Sequence, residues 1–134
     1  MDIILLYQTI QSMKENFLPN PTAESLIEVI STAKLKLHQI SNDDSEIKPA
    51  PDKWSKKEAI GHLIDSAIIN HQRFIHAQFQ DDLVFFGYDQ EEWVRVQHYN
   101  SINWYELLNL WYCLNVHISN LINLTPDEKR FKIF

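Results

Sequence analysis

Between Pro51 and Pro126 the chain contains no proline, and its only two glycines, Gly61 and Gly87, both lie in that interval. A fold of many short strands needs a turn every few residues, and turns draw heavily on glycine and proline. The other prolines, Pro19, Pro21 and Pro49, fall earlier. Long helices are the economical way to fold such a chain. With 134 residues, 45% of them hydrophobic and 12% aromatic, it has the size and apolar content of one ordinary domain. Residues 1–134 are therefore expected to form a single all-α domain.

The clearest helix start lies at Trp54-Ser55-Lys56-Lys57-Glu58-Ala59-Ile60-Gly61-His62-Leu63-Ile64. Ser55 is a good N-cap, and Glu58 stands three residues later, which is the capping-box spacing. Ile60, Leu63, Ile64, Ala67, Ile68, Phe74 and Ile75 then recur at helical intervals, giving an apolar face of roughly six turns. His62 lies off the centre of that stripe. Its angular neighbours are Asp65, Ser66, Ile69 and Arg73, a mostly polar line that faces either a pocket or water.

Ile3, Leu6, Ile10, Met13 and Phe17 alternate at spacings of three and four, which predicts a short first helix over 2–16. Asn20-Pro21 offers an N-cap followed by proline at the first helical position, and Leu26, Ile27, Ile30, Ala33, Leu37 and Ile40 predict a helix over 21–40. The polar stretch 41–53, with Pro49 and Pro51, reads as a surface loop. Residues 80–100 are irregular and aromatic, with a short helical turn expected over 89–97. Ser101 reads as the cap of a last long helix whose face comprises Trp104, Leu107, Leu108, Trp111, Leu114, Ile118, Leu121 and Ile122. Asn115 falls within that face, so it is expected to be buried or to line a pocket, and a buried amide needs partners. Thr125-Pro126-Asp127-Glu128 has the pattern of another helix start.

The formal net charge is -6, with acidic residues scattered along the chain, so no basic face is on offer for phosphate backbones. Nucleic acid is not expected as a partner. No apolar run approaches the roughly 18 residues of a spanning helix, and the first residues carry no basic leader pattern, so a cytoplasmic protein without a membrane partner is expected. Cys113, the one cysteine, fits a reducing compartment and lacks an obvious activating base apart from His117 four residues on. There is no glycine-rich phosphate loop, nucleophile elbow, Cys-x-x-Cys pair or calcium loop.

Histidine spacing carries what metal chemistry the residues suggest. His62 and Asp65 are three apart on one helix surface and make a two-ligand start, with Asn115 or His117 as a third candidate. His71 lies in line with Ala67 and Phe74, at the edge of the core face. His38, His76, His98 and His117 read as surface residues.

Several blocks resemble the DinB-like superfamily, also described as YfiT-like. They are Lys53 to Ser66, then Asn70-His71-Gln72-Arg73-Phe74, then Gly87-Tyr88-Asp89-Gln90 with Trp93-Val94 and Gln97, and finally Leu110-Trp111 with Asn115. The resemblance spans roughly residues 20 to 130 and implies an antiparallel up-down helix bundle, open at one end over a metal pocket. It makes His62 a ligand of a divalent metal, zinc, nickel or iron, and it makes Tyr88, Trp93, Gln97 and Asn115 substrate contacts. In the family two further histidines come from a C-terminal helix. No histidine follows His117 here, so that last helix is expected to be missing and the metal site only partial.

Two readings follow. One is a metal-dependent hydrolase or thiol transferase acting on a small molecule of unknown identity. The other is a catalytically silent bundle that forms a homodimer through the face left bare by the missing helix, with Trp104, Trp111, Leu114 and Ile118 shared between core and interface.

Overall fold

The computed structural model describes residues 22–81, 84 and 87–126. The predicted helix over 2–16, the Asn20-Pro21 cap, Phe85, Phe86 and the helix start from Asp127 onward lie outside the described residues. The elements in chain order are α1 (Thr22–Leu37), α2 (Asn42–Glu46), α3 (Lys56–Phe79), α4 (Gln90–Gln97), a single 3-10 turn (Tyr99–Ser101) and α5 (Trp104–Leu124). No strand occurs among the described residues, so the all-α expectation holds for them. None of the described helices is long and apolar enough to cross a membrane.

The stripes read from the sequence form the core. Leu26, Ile30, Ala33 and Leu37 of α1, Ile60, Leu63, Ile64, Ala67 and Phe74 of α3, and Trp104, Leu107, Leu108, Trp111, Ile118 and Ile122 of α5 are all buried in one cluster. Ile68 and Ile75 depart from the expectation and are exposed, because their positions have rotated off the seam between α3 and α5. Trp104, Trp111 and Ile118 lie inside the fold, and Leu114 is half-buried against it.

α5 is the central helix. Trp104 Nε1 donates to Leu37 O at 3.0 Å at one end, and Ser119 Oγ donates to Ala23 O at 3.0 Å towards the other, so α1 and α5 run antiparallel. α3 and α5 run parallel. Asn100, just ahead of α5, bonds the start of α3: Ser55 Oγ donates to Asn100 Oδ1 at 2.6 Å, and Asn100 Nδ2 donates to Glu58 Oε1 at 3.1 Å. His71 and His117, both well along their helices, meet with ring centroids 5.3 Å apart. This corrects the expected up-down alternation. Parallel neighbours require a long return connection, and the described residues 87–103 pass back along α3 from Ser66 at Tyr88 to Ser55 at Asn100.

Local signals set the helix ends. Ser55 accepts from Glu58 N at 3.1 Å while the Glu58 carboxylate takes the Ser55 N–H, a complete capping box. Asp89 caps α4 through Glu92 N, as the expected turn over 89–97 requires. At α5 the cap is Asn103, which accepts from Tyr105 N and Glu106 N; Ser101 instead lies in the 3-10 turn and donates to His98 O. The loop 41–53 contains α2, capped by Ser41. Glu46 at the end of α2 accepts from Lys57 Nζ at 2.8 Å, and Lys57 is almost wholly buried, with Asn100 O as its second acceptor. Thr125 ends α5 by bonding back to Leu121 O.

Candidate functional site

The capping box fixes the phase of α3, and that phase turns His62 inward. Its side chain is only 3% exposed, and its ring packs on Trp54 with centroids 5.1 Å apart. Trp54 is held from outside by α4, where Glu91 Oε2 accepts from Trp54 Nε1 at 3.2 Å.

One turn further along α3, Asp65 is 1% exposed. A buried carboxylate is costly unless hydrogen bonds hold it, and the return connection provides them. Tyr99 donates its hydroxyl proton to Asp65 Oδ1 at 2.6 Å, and Gln97 Nε2 donates to the same oxygen at 2.8 Å. Gln97 is fixed in turn by Trp93 O at 2.9 Å, and its Oε1 lies 2.8 Å from the Tyr99 hydroxyl. Burial and the Asp65 carboxylate push the Tyr99 phenol far above its ordinary range, so it stays a donor. Asp65 Oδ2 is buried without a hydrogen-bond partner among the described residues.

Gly61 makes this arrangement fit. A Cβ on Gly61 would fall well inside contact distance of the Tyr99 ring. The ring therefore lies directly on the α3 backbone, one turn before the carboxylate that its hydroxyl reaches.

Beyond Asp65 the polar line of α3 opens into a groove of about 280 Å³ lined by Ser66, Ile69, Asn70 and Arg73 on one side and by Gly87, Tyr88 and Gln90 on the other. Ser66 Oγ and Tyr88 OH are 3.0 Å apart across it. Tyr88 stacks on Trp93 with centroids 4.7 Å apart, and Arg73 Nη1 donates to Asn70 Oδ1 at 3.4 Å. The line Asp65, Ser66, Ile69 and Arg73 thus faces a buried cluster and a groove more than bulk water.

The residues singled out in the sequence are placed unequally. His62 and Asp65 share the buried face of α3; Tyr88, Trp93 and Gln97 lie together on the return connection. Asn115 is buried, but its Nδ2 donates to Trp111 O at 2.8 Å within α5. His117 does not complete a set with His62. It is exposed and faces His71, which is nine residues along α3 from His62 and hence about 13.5 Å further at 1.5 Å per residue. No group of three or more His, Cys, Asp or Glu side chains converges as a metal-binding set among the described residues.

Tyr99 and Asn70 are the site residues that helical periodicity in α3 and α5 did not single out. For Tyr99 the available signal is Gly61, a glycine in the middle of a strong helical pattern, which marks close approach by a neighbour. Comparison of the chain with protein-family models, curated proteins and solved structures gives no significant match.

Proposed function

We propose that this chain is a DinB-like helical-bundle protein with a site organised by His62 and Asp65, acting as a metal-dependent hydrolase or thiol transferase on a small polar molecule. The observation that carries this reading is the buried pair on α3. An imidazole and a carboxylate sit on adjacent turns, and Asp65 keeps one oxygen without a hydrogen-bond partner among the described residues.

Those two donors suit zinc, nickel or iron, which take imidazole nitrogen and carboxylate oxygen. His62 and Asp65 would hold such an ion, which when bound lowers the pKa of a coordinated water or thiol towards neutrality. The remaining coordination positions are not filled by His, Cys, Asp or Glu side chains of the described residues.

The other side chains have roles of their own. Tyr99 and Gln97 each donate to Asp65 Oδ1, which fixes the carboxylate and leaves Oδ2 as its available oxygen. Such outer hydrogen bonds orient a ligating carboxylate. The Ser66 and Tyr88 hydroxyls present donors and acceptors to a substrate in the groove, and Arg73 brings a guanidinium suited to an anionic group. Trp93 holds the Tyr88 ring in place. Asn115, with its amide nitrogen committed to Trp111 O, acts through core packing more than through substrate contact.

Metal analysis of protein purified without chelator tests the reading. A zinc, nickel or iron content that falls by about one equivalent per chain in His62→Gln is the expected result, and an equal metal content in both proteins would reject it.

A further inference from the structure

We propose a second cation site, separate from His62: His71 of α3 and His117 of α5 form a two-imidazole clamp for zinc(II) or nickel(II) on the seam between the two helices. His71 is half-buried, His117 is exposed, and their ring centroids lie 5.3 Å apart at an interplanar angle of 40°.

The spacing is the argument. A zinc–nitrogen bond of about 2.05 Å places an imidazole centroid about 3.2 Å from the ion, and two such ligands at the tetrahedral angle have centroids about 5.2 Å apart. The observed separation matches that of a chelating pair. Each histidine comes from a different helix, and the packing of α3 on α5 brings the two rings together.

The surroundings favour it. The positions three and four residues away from His71 are Ala67, Ile68, Phe74 and Ile75, and those from His117 are Cys113, Leu114, Asn120 and Leu121. None of these side chains carries a positive charge that would repel a cation. Cys113 is exposed and one turn before His117, so it is the alternative donor on this face. The ions are those that imidazole binds well, and the two open positions would take water or a donor from a ligand or partner.

Calorimetric titration of untagged protein with zinc(II) and with nickel(II) at neutral pH, followed by histidine-detected NMR, tests the clamp. We expect one bound equivalent that perturbs the His71 and His117 imidazole signals. Affinity should fall by about tenfold or more in His71→Ala and again in His117→Ala, each of which removes half of the protein donors. It should be unchanged in His62→Gln. Wild-type binding retained in both alanine variants, absence of that equivalent in the wild type, or its loss on Cys113→Ser alone with both histidines intact would overturn the proposal.

Discussion

The Tyr99 hydroxyl donates to Asp65 Oδ1 at 2.6 Å, joining the return connection to the middle of α3 at a carboxylate that is 1% exposed. Removing that donor leaves a buried acceptor short of a partner, which typically costs about 1–3 kcal/mol. Tyr99→Phe should therefore lower stability by that amount in urea unfolding, while Gln97 keeps the carboxylate partly held.

The same contact fixes the sign of an alkaline effect. The Tyr99 phenol is raised in the folded protein by burial first and by Asp65 second, above the value of about 10 in the unfolded chain. The folded state thus retains a proton that the unfolded state loses. Its contribution is complete below pH of about 10 and declines above it, by up to about 1.4 kcal/mol per pH unit for one proton. Unfolding free energies measured from about pH 8 to about pH 12 should show this fall, and Tyr99→Phe should flatten it.

Gly61→Ala tests whether the Tyr99 ring truly rests on the α3 backbone. Alanine is ordinarily the better helix former by about 1 kcal/mol. Here the added methyl meets the ring, and forced repacking costs about 1–3 kcal/mol. Net destabilisation is expected, with weaker binding of any groove ligand because Asp65 and Gln97 shift together. A gain in stability would show that the ring moves away freely.

Lys57 and Glu46 make a contrasting prediction. Glu46→Ala leaves the Lys57 ammonium, 1% exposed, with only Asn100 O, and should cost about 1–3 kcal/mol. Replacing both, Lys57→Met with Glu46→Ala, should recover most of that loss, because the buried ammonium is exchanged for apolar packing and no unpaired charge is left inside. Thermal unfolding of the single and double variants distinguishes the two outcomes.

The helices were legible where the physics is local. Ser55 and Glu58 announced the start of α3, and the apolar spacings of α1 and α5 named most of their buried faces. Asp89 and the turn after it were also readable from chain-neighbour chemistry. The cap of α5 was misplaced because Ser101 and Asn103 are both capping types, and only the geometry shows the amide taking Tyr105 N. The parallel course of α3 and α5 had no periodic signal, since it depends on Asn100 meeting Ser55 across the fold. At the site, His62, Asp65 and the polar line of α3 were readable from angular position. The Tyr99 contact and the His71–His117 pairing were not, because each joins segments far apart in sequence.

The most direct measurement is metal content after dialysis in a background carrying His71→Ala and His117→Ala, which removes the outer clamp. In that background the account predicts about one tightly held zinc, nickel or iron per chain, lost on adding His62→Gln and reduced on adding Asp65→Asn, with far-UV circular dichroism showing the helices intact. A folded protein that holds no metal, or holds as much without the His62 imidazole as with it, would contradict the account.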